Sequence, residues 1–119
     1  MAWKPATIDE VAAILMADLK KCDPQQIAVF RQYSVAPHFA PIVRYGIADV
    51  VVVVAQKSPD VIYWEDVEGG FNISPTGPGG RVLEHSCIQN DLGVALNRLV
   101  QSRERQTANL RPTKPLNSW

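Results

Sequence analysis

The run of five valines from Val50 to Val54, followed by Ala55, is the strongest hydrophobic pattern in the chain. β-Branched side chains are stiff at χ1 and fit a pleated sheet, so the run predicts a strand. Apolar and polar residues do not alternate along it, which is typical of a strand with both faces covered. We therefore predict a central strand whose second face is covered by a short helix, by the C-terminal tail or by a second subunit.

The N-terminal hydrophobic pattern predicts a helix with a clear start at Thr7. Thr7 and Glu10 have the spacing of a capping box, in which each side chain accepts a hydrogen bond from the backbone N–H group of the other residue. Apolar residues then recur at helical spacing, at Ile8, Val11, Ile14, Leu15 and Leu19. This helix is expected to end near Lys21.

A second, shorter helix is predicted from Pro24 to about Tyr33. Asp23 suits its N-cap, and proline suits the first helical position because no hydrogen bond needs its missing N–H group there. A strand over residues 27–35 is the alternative, since Val29 and Phe30 also suit a sheet.

Residues 34–41 contain two prolines, which exclude a helix and predict an extended connection. A short edge strand is expected over Ile42–Tyr45, ahead of the valine strand. Beyond the valine strand, Ser58-Pro59-Asp60 has the composition of a turn with proline at its first central position. A strand over Val61–Val67 is predicted to run back antiparallel, as in a meander.

The next hairpin is predicted to turn at Gly69-Gly70, because two glycines tolerate the positive φ angles of a type I′ turn. That register pairs Glu68 with Phe71 and Asp66 with Ile73. One face of the hairpin is then mainly apolar, with Asp66 and Glu68 at its tip. The two faces are Ile62, Trp64, Phe71 and Ile73 on one side, and Val61, Tyr63, Glu65, Val67, Asn72 and Ser74 on the other.

The pattern of the C-terminal part of the sequence predicts a last strand from Arg81 to about Glu84, followed by a helix. Ser86 and Gln89 have the spacing of a second capping box. The apolar face of the helix consists of Ile88, Leu92, Ala95, Leu96, Leu99 and Val100. A polar tail is expected over about 103–119. The predicted fold class is α+β: an antiparallel four- to five-stranded meander sheet with N-terminal helices and a C-terminal helix packed on it, in a single domain over 1–119.

Composition narrows the function without identifying it. The 119 residues are 46% hydrophobic and include twelve basic and twelve acidic residues, as is ordinary for a globular domain. A net charge of zero provides no overall field to attract nucleic acid, and the basic tail lacks aromatic residues for base stacking before Trp119. The longest apolar stretch, Ile47 to Ala55, is too short to cross a bilayer, and no signal peptide is recognisable, so a cytoplasmic protein is predicted.

The sequence contains no catalytic or cofactor-binding motif. Cys22 and Cys87 form no C-x-x-C pair and are interpreted as reduced thiols, with one disulfide between them left open. His85, Ser86 and Cys87 are adjacent, but neighbouring residues on a strand point to opposite faces, which is poor geometry for a catalytic pair. Two histidines and two separated cysteines do not make a zinc site. We therefore predict no catalytic residue, no metal site and no cofactor.

An acidic hairpin with aromatic neighbours is the candidate site. Its residues are Asp60, Tyr63, Trp64, Glu65, Asp66 and Glu68. The carboxylates could form a negative surface for a basic protein partner, hold a metal ion, or simply keep the tip of a hairpin soluble.

These features favour binding over catalysis. Our leading hypothesis is a non-catalytic protein-binding module, such as a small bacterial inhibitor or immunity-type protein, that presents the acidic hairpin to a basic partner. One alternative is a small metal-dependent hydrolase that uses Glu65, Asp66 and Glu68. Another is a regulatory subunit with a pocket for a small ligand, and the side chains expected to line that pocket are Tyr63, Trp64 and Phe71. A homodimer is a further hypothesis, because the valine strand needs cover on its second face.

Overall fold

The structure is a computed structural model that describes residues 6–66, 69–83 and 90–110, with side chains described as far as Gln101. In chain order its elements are α1 (Ile8–Leu19), α2 (Pro24–Tyr33), β1 (Ser34–Arg44), β2 (Ile47–Lys57), β3 (Asp60–Glu65), β4 (Gly70–Pro75), a 3₁₀ turn (Pro78–Gly80) and α3 (Leu92–Leu110). The four strands form one open antiparallel sheet in the order β1-β2-β3-β4. The predicted α+β class, with an antiparallel meander sheet and helices packed on it, is confirmed.

Both N-terminal helices begin with capping boxes. Thr7 Oγ1 accepts a hydrogen bond from the N–H of Glu10 at 3.1 Å, and Glu10 Oε1 accepts one from the N–H of Thr7 at 3.0 Å. Asp23 and Gln26 make the same reciprocal pair at the start of α2, with Pro24 as its first residue. These caps satisfy N–H groups that have no partner inside a helix. The second predicted helix is therefore confirmed, and the alternative of a strand in its place is wrong.

β1 is much longer than the predicted edge strand and includes both prolines. Pro41 pairs with Val50, and its carbonyl points away from β2, where it accepts a hydrogen bond from the N–H of Val82 at 2.9 Å. The nitrogen of the same residue points to the same outer side, so proline loses no bond to β2 at this position. The extended connection predicted over 34–41 is thus a strand, because an edge strand tolerates proline.

β2 contributes apolar side chains to two cores because successive residues of a strand point to opposite faces, and a β-bulge adds one residue to the helix side. Val53 pairs with Tyr63 and Ala55 pairs with Ile62, so Val54 is an extra residue between two paired positions. The residues that face the helices are Val52, Val54 and Ala55, and those that face the opposite side are Val51 and Val53. All of them are buried, as expected for a central strand.

The two faces of the sheet therefore each have a core. The helix-side core lies between the sheet and the helices, and its buried members are Val11, Leu15, Val52, Val54, Ala55, Ile62, Phe71, Leu92, Ala95, Leu96 and Leu99. The second core lies on the opposite face, and its buried members are Ala40, Ile42, Val51, Val53, Val61, Tyr63 and Val82.

Within the described residues, the second core is covered by segment 81–83. The N–H of Val82 donates to the carbonyl of Pro41 at 2.9 Å, and the N–H of Leu83 donates to the carbonyl of Pro75 at 3.1 Å. Since Pro41 and Pro75 belong to the two edge strands, the sheet must curl toward its second face for one segment to reach both. Among the described residues, curvature and Val82 thus provide cover for this face, whereas cover by a second subunit stays a prediction. The predicted last strand is reduced here to isolated bridges at Val82.

The β3–β4 hairpin has a longer loop than predicted. Glu65 pairs with Gly70, so both residue pairs predicted from a Gly69-Gly70 turn are wrong. Gly69 instead closes the loop, because its N–H donates to the carbonyl of Glu65 at 2.8 Å and its φ is +72°. The true register differs from the predicted one by an even number of residues, so the predicted division of side chains between the two faces still holds for the described residues.

α3 continues further than the hydrophobic pattern indicated. It ends at Leu110, so residues 103–110, predicted to belong to a polar tail, are helical. The N–H of Leu92 donates to Asp18 Oδ2 at 3.3 Å, which ties the start of α3 to α1. The capping box predicted at Ser86–Gln89 lies outside the described residues.

Candidate functional site

The acidic hairpin does not form an exposed acidic surface in the part of the chain that the structure describes. Glu65 is fully buried, and Asp60 is 7% exposed. Tyr63 is also fully buried, in the second core. Two of the four carboxylates expected to face a basic partner therefore point into the protein. Glu68 lies outside the described residues.

Arg44 compensates the buried charge of Glu65. The two residues lie at the ends of β1 and β3, and Arg44 Nη1 donates a hydrogen bond to Glu65 Oε1. Arg44 Nε lies 3.9 Å from Asp49 Oδ2. A buried carboxylate is costly without a partner, so the ion pair is what allows both charges to occupy the interior. Sequence reasoning missed the pair because its members come from strands that are not neighbours in the sheet.

Other polar residues on the second face have partners inside the protein. Asn72 Oδ1 accepts a hydrogen bond from Asn90 Nδ2 at 3.3 Å. Ser74 Oγ donates to the carbonyl of Pro75 at 2.7 Å. Both side chains are buried, so these hydrogen bonds offset the loss of water. The polar residues of this face therefore have a structural role.

Trp64 and Asp66 lie on the helix side of the sheet, opposite to the buried ion pair. Trp64 packs edge-to-face on Phe71, with the ring centroids 5.1 Å apart. Asp66 Oδ2 accepts a hydrogen bond from the N–H of Ala6 at 3.2 Å. Burial raises the pKa of Asp66, and this effect exceeds the lowering by its hydrogen bonds. Because Tyr63 faces the other core, the pocket expected between Tyr63, Trp64 and Phe71 does not form.

Within the described residues, no three histidine, cysteine, aspartate or glutamate side chains are placed to hold a metal ion. The carboxylate of Glu65, one of the three expected to serve a hydrolase, is held by Arg44. Cys22 is a free thiol whose Sγ donates to the carbonyl of Asp18 at 3.4 Å. Burial, followed by nearby carboxylates, raises the pKa of Cys22, which disfavours the reactive thiolate. Cys87 lies outside the described residues.

An exposed apolar surface lies instead on the β1–β2 hairpin. We call it the hairpin face, and it consists of Phe39, Val43 and Val50 together with Tyr45 of the turn, whose exposed fractions are 49, 47, 38 and 84% respectively. Ile47 is also exposed, but it pairs with Arg44 and lies on the second face of the sheet. The strand register places Phe39, Val43 and Val50 on the helix side of the sheet. Val52, two residues beyond Val50, is buried. The cover provided by the helices thus ends between these two valines, and the hairpin extends past it.

The hairpin face is large and uncharged. Of the eight large hydrophobic residues exposed in the described part of the chain, four belong to it. Given these exposed fractions, its four residues present on the order of 400 Å² of surface, most of it from Phe39 and Tyr45. The nearest charged residues in sequence, Arg44 and Asp49, face each other across the second face of the sheet. Apolar patches of this size on a monomer commonly mark an interaction site.

Tyr45 has a backbone conformation that glycine or asparagine adopts more easily. Arg44 pairs with Ile47, so Tyr45 and Gly46 form a two-residue loop, and their φ angles are +51° and +76°. Two positive φ angles are typical of a type I′ turn, in which a bulky residue costs roughly 1 kcal/mol. Tyrosine thus occupies the exposed tip at a cost in backbone strain.

Sequence reasoning did not find the hairpin face. Because residues 34–41 were expected to be an irregular connection, their apolar side chains were assigned to no surface. The signal was present in the alternation of Pro37, Phe39, Pro41 and Val43, which fall on one face once the segment is a strand.

Protein-family models, curated proteins and solved structures were each compared with the chain, and none of them matches it. None of the described helices is both long and apolar enough to cross a membrane.

Proposed function

We propose that this chain is a non-catalytic protein-binding module and that it binds its partner through the hairpin face. The observation that carries the proposal is an uncharged apolar surface on the order of 400 Å² on the part of the β1–β2 hairpin that extends past the helices. Aromatic side chains are enriched at the centres of protein interfaces, and the hairpin face includes Phe39 and Tyr45.

The apolar character of the hairpin face changes the class of partner that we expect. An acidic hairpin suited a basic protein, but Glu65 and Asp60 are buried and the hairpin face has no charge of its own. The partner is therefore expected to present an apolar patch. The narrower hypothesis of an inhibitor or immunity-type protein stays a prediction about the identity of that partner.

Co-purification from the native host tests the proposal. The affinity-tagged chain is compared with a variant carrying Phe39→Glu and Val43→Glu, which places two charges on the hairpin face. Val94→Glu is the matched control, because Val94 is similarly exposed but lies on α3. All three proteins are first shown to have the same circular dichroism spectrum and similar unfolding temperatures.

A stoichiometric partner should bind the wild type and Val94→Glu but not the double variant, because loss of central apolar contacts typically costs more than 1 kcal/mol each. Binding that is unchanged in the double variant, or lost equally in the control, would contradict the proposal, and so would the absence of any partner. If the partner is a second copy of the chain, the wild type should sediment as a dimer and the double variant as a monomer.

A further inference from the structure

A second apolar surface lies in a groove between α1 and α2. The groove has a volume of about 360 Å³. Its lining residues are Met16, Leu19, Lys20, Ile27, Phe30 and Arg31. None of them belongs to the hairpin face, so the groove is independent of the surface proposed above.

The floor of the groove is apolar and anchored. Leu19 and Phe30 are partly buried and pack against the helix-side core, which fixes their positions. Met16 is 59% exposed, and its flexible thioether can adapt to the shape of an apolar ligand. The volume is within the range of sites that bind a ligand or a short peptide segment. The groove is therefore a preformed apolar surface with one adaptable wall.

The rim of the groove is positively charged. Lys20 follows the end of α1, Arg31 lies in the last turn of α2, and both are exposed. Among the described residues that line the groove, none carries a carboxylate. The sequence of α2 contains no acidic residue, and the acidic residues of α1 are not among the lining residues. Asp18 accepts a hydrogen bond from the N–H of Leu92. Asp9 and Glu10 lie in the first turn of α1, at the opposite end from Lys20. The groove is thus locally basic although the chain has no net charge.

We propose that this groove binds an acidic amphipathic helix of a partner protein. An apolar stripe of such a helix would occupy the floor, in the helix-in-groove mode of recognition. Acidic residues on the two sides of the stripe would face Lys20 on one wall and Arg31 on the other. The two cations belong to the α1 and α2 sides of the apolar floor, so a helix with acidic residues on both sides of its apolar stripe complements both of them.

Two synthetic helical peptides test the inference by fluorescence anisotropy with the full-length chain. Both carry leucines at positions i, i+3, i+4 and i+7; one has glutamates beside this stripe and the other has lysines. The acidic peptide should bind with saturation and about tenfold more tightly than the basic one, given two surface ion pairs gained and two like-charge contacts avoided. The difference should shrink at high salt.

The variant with Lys20→Glu and Arg31→Glu should reverse the order of the two peptides. Met16→Asp should weaken binding of the acidic peptide, and Val94→Asp, at an exposed apolar position outside the groove, should change neither affinity. Three results would overturn the inference: no saturable binding of the acidic peptide, equal binding of both peptides to the wild type, or the same order of affinities after charge reversal. The circular dichroism spectra of the variants verify that each is folded.

Discussion

Replacing Glu65 by glutamine would remove the negative charge that faces Arg44 while preserving the size of the side chain. The two side chains are 0% and 6% exposed, so the remaining guanidinium would be a buried charge. Removing one partner of a buried ion pair typically costs about 3–5 kcal/mol. Because Asp49 Oδ2 still lies 3.9 Å from Arg44 Nε, we expect the lower end, about 3 kcal/mol. That is a large part of the stability of an ordinary domain, which is roughly 5–15 kcal/mol.

The double variant separates the ion pair from other effects of substitution. Arg44→Met removes the other charge and should also cost about 3 kcal/mol, since it leaves Glu65 buried without its cation. In the combined Arg44→Met and Glu65→Gln protein neither charge is left uncompensated. The loss in the double variant should therefore be smaller than the sum of the single losses by at least about 2 kcal/mol.

Urea unfolding followed by far-ultraviolet circular dichroism measures the free energy of unfolding of each variant. Equal m-values among the variants indicate that their folded and unfolded states are comparable with those of the wild type. Asp9→Asn is the control, because Asp9 is an exposed carboxylate of α1 and its loss should cost no more than about 0.5 kcal/mol. If Glu65→Gln were as mild as this control, Glu65 would be in contact with water. The reasoning on the buried pair would then fail, and an acidic surface on this hairpin would again be the better interpretation.

Three further predictions concern single positions. Burial raises the pKa of Asp66 above its usual 3.8, so the folded state holds the proton more tightly and the contribution of Asp66 to wild-type stability should fall as pH rises through and above that value. The unfolding temperature of Asp66→Asn relative to wild type should therefore increase from about pH 3.5 to about pH 6.5, and a constant difference would contradict this. Asp23→Ala should cost about 1 kcal/mol in urea unfolding through loss of the α2 cap, whereas Asp23→Asn should be nearly neutral; equal losses would refute the capping role. Tyr45→Asn should stabilise the turn by about 0.5–1 kcal/mol and yet weaken partner binding, and destabilisation together with unchanged binding would refute both expectations.

The helices and the central strand could be predicted because their causes are local. Each capping box requires only residues three positions apart, such as Thr7 and Glu10, whose contacts form wherever the helix begins. The valine run is stiff at χ1 and lacks polar alternation, whatever surrounds it. These signals also excluded alternatives correctly, as in α2, where Asp23 and Pro24 favoured a helix over a strand.

The candidate site could not be predicted because it depends on contacts distant in sequence. Glu65 and Asp66 are neighbours in the chain, but one meets Arg44 on the second face and the other meets the N–H of Ala6 on the helix side. Acidic residues that lie close together in the sequence therefore do not form a cluster of exposed carboxylates in the folded protein. The hairpin face was missed for a related reason, since residues 34–41 gain a face only by pairing with β2.

By itself, the sequence determined that this protein has capped N-terminal helices, a central valine strand and an antiparallel meander, because propensity, capping and hydrophobic periodicity act within a few residues. It also determined that the valine strand must be covered twice. Only the tertiary structure decided how: the bulge at Val54 places both Val54 and Ala55 on the helix side, and the curl of the sheet brings Val82 within reach of both edge strands. The same curvature brings Arg44 and Glu65 together from strands that are not neighbours in the sheet. These outcomes depend on register and burial across strands, which no local pattern of residues specifies.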